Sequence, residues 1–163
     1  MKPTHVNVLY MLQESNWIES EYDYQSLADA YEAWNYLIEK DTLSVKDVLH
    51  SHKILMTNQP IEQRLKGDFR DSPVTIGYSV KRLPKIVIDS MVRDLLEDMN
   101  KYESPSDAIL HHIQFENIHP FIDGNGRLGR ILLNWELVKK LGLNLMVYKD
   151  SEKYEKYYPL FRS

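Results

Sequence analysis

Apolar side chains recur every third or fourth position along most of the chain, the spacing of one face of an α-helix. Val8, Leu12 and Ser15 share one face of a first helix, and Glu19 falls on that face a turn later. Leu27, Tyr31, Trp34 and Ile38 form the stripe of a second helix, expected from about Ser26. Ser44, with Asp47 three residues on, makes an approximate capping box that opens a third helix through Met56. Pro84 belongs in the first turn of a fourth, whose Ile88, Met91 or Val92, Leu95 and Met99 face inward. Ser104, Pro105 and Asp107 repeat the start signal for a helix running to about Ile118. The last helix begins inside a glycine-rich loop and carries Ile131, Trp135 and Val138 to Leu141, with Gly142 as its stop.

One stretch breaks this rhythm. Between Pro60 and Leu83 stand Gly67, Pro73 and Gly77, and Val74, Ile76 and Tyr78 alternate with Thr75 and Gly77. Period-two alternation between turn residues predicts a short β-hairpin or flap. No internal repeat, low-complexity tract or interdomain linker interrupts the pattern. The expectation is an all-α bundle of about six to eight helices with one small hairpin, a single domain over 1–163.

Composition narrows the classes. The chain has 163 residues, 43% hydrophobic and 27% charged, an ordinary globular balance. A net charge of −4 argues against a protein that coats nucleic acid, although it permits a local positive pocket. With no cysteine there is no disulfide, thiolate nucleophile or Cys-ligated metal. The apolar stretch Ile131 to Val147 is broken by Asn134, Glu136, Lys139 and Lys140, so neither a membrane span nor a signal peptide is expected. A cytoplasmic protein is the resulting expectation.

The unusual chemistry is concentrated in His119-Pro120-Phe121-Ile122-Asp123-Gly124-Asn125-Gly126-Arg127-Leu128-Gly129-Arg130. A helix ends near a histidine, and a tight loop with two glycines leads directly into the next helix. Glycines let backbone N–H groups approach a ligand, and the helix start adds unpaired donors and a positive dipole end. Arg127 and Arg130 are three apart and project from neighbouring positions. Asp123 can hold a hard cation such as Mg²⁺, which usually also binds substrate phosphates. A base, a carboxylate, an amide nest and two guanidiniums suit phosphoryl or nucleotidyl transfer.

This segment resembles the signature of the Fic (filamentation induced by cAMP) family, His-x-Phe-x-Asp/Glu-Gly-Asn-Gly-Arg-x-x-Arg, at every defined position. The resemblance implies a protein adenylyltransferase that moves AMP from ATP onto a Ser, Thr or Tyr hydroxyl of a target protein. His119 would be the base and Asp123 the Mg²⁺ ligand. Gly124, Asn125 and Gly126 would form the anion hole, Arg127 would meet the β-phosphate and Arg130 the γ-phosphate. Phe121 would point into the core and fix the loop. Val74 to Leu83 is similar to the family's target-positioning flap, centred on Thr75, Ile76 and Gly77, and Tyr157 with Tyr158 to the tail that helps hold the nucleotide. Ser15-Asn16-Trp17-Ile18-Glu19-Ser20 resembles the inhibitory motif Ser/Thr-x-x-x-Glu-Gly/Asn, whose glutamate pairs with the second motif arginine, here Arg130. Residues 1–25 would then be an inhibitory segment and 26–163 the Fic core. Ser20 departs from the motif's usual Gly or Asn. Self-association into a homo-oligomer is common in such families, and no direct nucleic-acid binding is expected.

Other readings compete. Gly124 to Gly129 matches G-x-G-x-x-G, but a helix and His119-Pro120 precede it where a dinucleotide fold needs a buried strand. His112, Glu116 and His119 share a helical face without an H-E-x-x-H arrangement, so zinc is not expected. His112 is expected packed beside the core, Glu116 solvated, and His50 and His52 at the surface or partly buried. Glu19 could instead orient a water that removes AMP from a modified protein. A non-catalytic nucleotide-binding regulator is the rival from another class, and the base His119 is superfluous to it.

Overall fold

The helical rhythm becomes six α-helices among the described residues: α1 His5–Ile18, α2 Tyr24–Ile38, α3 Val45–Leu55, α4 Lys85–Lys101, α5 Pro105–Ile118 and α6 Asn125–Trp135. The structure is a computed structural model describing residues 3–77, 79–101 and 104–162. Local chemistry sets most boundaries. Ser44 accepts from the Asp47 N–H while the Asp47 side chain accepts from the Ser44 N–H, a complete capping box. Ser104 caps α5, with Pro105 in its first turn. The second helix starts earlier than its apolar stripe suggests, because Asp23 accepts from the Ser26 N–H at 2.8 Å and sets the start at Tyr24.

Strands Val74–Ile76 (β1) and Ser79–Lys81 (β2) form the hairpin, pairing Val74 with Lys81, Thr75 with Val80 and Ile76 with Ser79. Gly77 turns the chain with φ +56. Tyr78, which the alternation counted with Val74 and Ile76, lies outside the described residues.

Leu12, Trp34, Leu37, Val48, Leu55, Ile88, Val92, Phe115, Leu128, Ile131 and Trp135 meet in one buried core. α6 runs through its middle, packed by α1, α2, α3 and α5, so nearly all of its side chains are buried. A helix buried all round is an unusual place for two arginines, and each therefore requires a partner. After Trp135 the helix continues as one π-helical turn, Glu136–Lys140, and Gly142 follows with φ +62. Short helical turns through Phe161 bring the C-terminal tyrosines back over α5. No described helix is long and apolar enough to cross a membrane.

Candidate active site

His119 closes α5 in the left-handed region, φ 50 and ψ 63, with its N–H donating to Phe115 O at 3.0 Å. A non-glycine residue held there is uncommon. The conformation turns the imidazole back over the last helical turn, where Nδ1 lies 3.2 Å from Glu116 O. A carbonyl only accepts, so Nδ1 carries the proton and Nε2 keeps its lone pair. Burial holds the imidazole pKa below its ordinary 6.5, which leaves His119 neutral at pH 7.

The loop beyond it is locked from within. Asn125 donates its amide to Phe121 O and accepts from the Phe121 N–H, both at 2.9 Å. Phe121 is fully buried and stacks on His52 with ring centroids 3.7 Å apart. His52 donates from Nε2 to Asp123 O at 3.0 Å and accepts at Nδ1 from Gly67 N at 2.9 Å. Burial drives its pKa down to about 4, so it is a neutral strut. Gly124 sits at φ +79, where a Cβ would also meet Met56 Sδ at 2.7 Å.

The start of α6 then opens into a pocket of about 90 Å³, lined by Glu19, His119, Ile122 and Asp123 through Arg127. Arg127 is 2% exposed, and its Nε and Nη1 have no protein partner. Its nearest acceptors are Met56 Sδ at 3.6 Å and Asp123 Oδ1 at 3.7 Å. A buried guanidinium with open donors beside a helix N-terminus presents chemistry suited to an anion.

Arg130 is as deeply buried, but its fork is full. Nε donates to Ser15 Oγ at 2.8 Å and Nη1 to Tyr157 Oη at 2.7 Å. Nη2 reaches Ser15 O at 2.9 Å and Glu19 Oε1 at 2.8 Å. The Glu19 carboxylate lies so closely over Gly126 that a Cβ there would overlap Oε1. Glu19 is delivered by the end of α1, where Glu21 N donates to Asn16 O and Ser20 N to Trp17 O. These two bonds make a Schellman motif whose left-handed position is Ser20, φ 63. Beneath Arg130, Glu116 has its Oε1 enclosed without a partner, and burial raises its pKa to about 8. Glu116 Oε1 stands 2.7 Å and His112 Nδ1 3.1 Å from a Cβ built on Gly129, so both crowd the position where α6 needs a glycine.

Residues 42–137, more than half of the chain, match the Fic/DOC family model. The chain belongs to the Fic/DOC family. It is 37% identical over 92 residues to a probable protein adenylyltransferase of Aquifex aeolicus, a match covering 55% of this chain and 28% of that protein. It is 33% identical over 108 residues to protein adenylyltransferase Fic of Drosophila erecta, covering 63% of this chain and 21% of that one. The matches thus span under a third of these relatives' length. Among solved structures, a Fic-domain-containing signalling protein from Bacteroides thetaiotaomicron superposes with a TM-score of 0.77 at 18% identity, over 93% of this chain and 70% of that one. Fic-1 from C. elegans does so with a TM-score of 0.76 at 19% identity, over 98% and 56%. These two likenesses establish the fold.

Within this Fic fold, the residues singled out from the sequence divide into three places. His119, Asp123, Gly124, Asn125, Gly126, Arg127 and Glu19 line one pocket. Ser15, Arg130 and Tyr157 form the buried cluster behind it. Thr75, Ile76 and Gly77 lie on the hairpin and do not line that pocket. Two expectations are corrected. Glu116 is not solvated, because α6 packs over it at Gly129 and encloses Oε1. His52 is fully buried, because the loop from Gly67 and the Asp123 carbonyl close on its ring. His52, Glu116 and Arg70, which bonds the His119 carbonyl, were not legible as site residues, since each acts on a segment distant in sequence or on a buried face.

Proposed function

We propose that this Fic domain is a protein adenylyltransferase, moving AMP from ATP to a Ser, Thr or Tyr hydroxyl of a target protein. One observation carries the reading: a neutral imidazole with a free Nε2 and a buried arginine with unpaired donors line the same pocket at a helix N-terminus. A base and an anion cradle in contact suit attack of an alcohol on a phosphate. The names of the adenylyltransferase relatives supply the nucleotide and the acceptor class.

In the proposed reaction the hydroxyl oxygen bonds to the α-phosphorus of ATP while the bond from that phosphorus to the pyrophosphate oxygen breaks. The hydroxyl proton passes to His119 Nε2. The α6 amides, Arg127 and Arg130 hold the charge of the triphosphate. Asp123 suits a Mg²⁺ shared with nucleotide phosphates, because its side chain is 49% exposed at the pocket while Oδ1 accepts from Gly124 N at 2.6 Å. Among the described residues there is no group of three or more His, Asp or Glu that could hold a metal without such help. The ion would neutralise phosphate charge when bound.

Residues 1–25 act in this reading as an inhibitory segment. The Glu19 carboxylate occupies the arginine fork that a γ-phosphate would take, since both present oxygens to the same donors. The pocket that remains is far below the ~300–1,000 Å³ of sites that enclose a small-molecule ligand. Glu19 also lines the pocket alongside His119, which favours a second reading in which it orients a water for removal of AMP from a modified protein.

Incubation with ATP labelled at the α-phosphate separates these readings. Protein label is expected with Glu19→Gly, little with the wild-type chain, and ~10²–10⁴-fold less once His119→Ala is added. Loss of pre-existing protein label that depends on Glu19 would favour the hydrolase. Nucleotide binding with neither outcome would refute catalysis.

A further inference from the structure

Arg70 lies outside the His119–Arg130 loop, yet it is fully buried and touches both that loop and the hairpin. Its Nε donates to His119 O at 2.7 Å and its Nη2 to Ile118 O at 3.4 Å. Its Nη1 donates to Ser72 O at 3.0 Å and to Lys81 O at 3.4 Å. Its own N–H donates to Pro120 O at 2.9 Å. No carboxylate of the described residues pairs with it. Among the described residues, this buried charge is held by peptide carbonyls.

Those carbonyls are not scattered. Ile118 O and His119 O stand at the C-terminal end of α5, where helix carbonyls lack intrahelical donors and the dipole is negative. Ser72 precedes β1, and Lys81 is paired with Val74 at the open end of the hairpin. One planar fork thus spans the root of the hairpin and the backbone that carries the imidazole. A lysine has a single point charge and could not serve both sides at fixed separation.

We propose that Arg70 is a positioning residue that registers the hairpin against His119, so that an acceptor segment aligned by the hairpin meets Nε2. The inference rests on the transferase reading, with the hairpin on the acceptor side. It assigns Arg70 to acceptor alignment and not to nucleotide binding, because its donors reach neither the pocket nor the α6 amides.

The test places Arg70→Lys in the Glu19→Gly chain and follows three readouts. Transfer of α-labelled AMP from ATP to the protein hydroxyls of a crude lysate should fall ~10–100-fold, as expected for a displaced reacting group. The affinity for ATP and the KM for ATP should stay within about twofold, so that the loss falls on kcat. Amide exchange at 74–81 should quicken while that of α6 does not. Unchanged transfer, or ATP affinity falling in step with it, overturns the proposal, as does unaltered exchange in the hairpin. If Arg70→Lys does not fold, the Arg70 Nε–H signal in the Glu19→Gly chain decides. Protection matching the last turn of α5 supports the clamp, and rapid exchange overturns it. Should Glu19→Gly itself transfer nothing, the transferase reading fails, whereas the exchange measurements still judge whether Arg70 holds hairpin and loop together.

Discussion

At the residue scale, the contiguous loop could be singled out from the sequence, and Glu19 could be paired with Arg130 through a motif, whereas His52, Glu116 and Arg70 carried no such signal. His119, Asp123, Gly124 and Arg127 could be grouped together because loop and helix start are adjacent in sequence, and they line one pocket. Glu116 read as a surface charge because an isolated glutamate on a helix usually is one. Only the packing of α6 through Gly129 encloses it. Its enclosure has a measurable sign. The native state binds the Glu116 proton more tightly than the unfolded chain, since burial raises its pKa from 4.5 to about 8. The associated stability is full below about pH 4.5 and is lost as pH rises through about 8. Glu116→Gln should remove this component. Denaturant midpoints of the two proteins at pH 5 and pH 9 are expected to diverge, the variant being relatively more stable at pH 9. Equal pH dependence would show that Glu116 is solvated after all.

At the scale of elements, capping chemistry located the starts of α3 and α5, because Ser44 and Ser104 carry their signals locally. The start of α2 was placed too late because its first turn is set by Asp23 and not by the apolar stripe. The end of α1 shows what a motif position means physically. Gly or Asn is preferred after the glutamate because that residue must adopt positive φ, and Ser20 does so at 63. Ser20→Gly should therefore stabilise the protein by about 0.5–1 kcal/mol, since the left-handed strain at this cap is relieved. A thermal midpoint raised by a few degrees is the expected reading. A lowered midpoint would mean that the Ser20 side chain contributes more than its backbone strain removes.

Across the whole molecule, the all-α plan and its single hairpin followed from periodicity, while the burial of both arginines inside the most central helix did not. Periodicity reports which positions are apolar, and it is silent on where a charge is buried. Arg130 in particular is a buried cation whose carboxylate partner is Glu19. Glu19→Gly should lower stability by about 1–2 kcal/mol. That is less than the ~3–5 kcal/mol of a fully buried pair, because the Glu19 side chain is 36% exposed. Saturating ATP with Mg²⁺ should then stabilise the variant more than the wild-type chain, the variant gaining about 2.7 kcal/mol at a hundredfold excess over its own Kd. Equal gains in both proteins would show that carboxylate and nucleotide do not compete.

Because Ser15, Glu19 and Arg130 belong to one polypeptide, the proposed competition at the arginine would set a tethered rival against a diffusing one. A tethered group acts at a local concentration fixed by its linkage, not by how much protein is present. At a fixed ATP concentration, specific activity of the chain should accordingly stay flat on dilution, and a force that lifts α1 off the bundle should raise it.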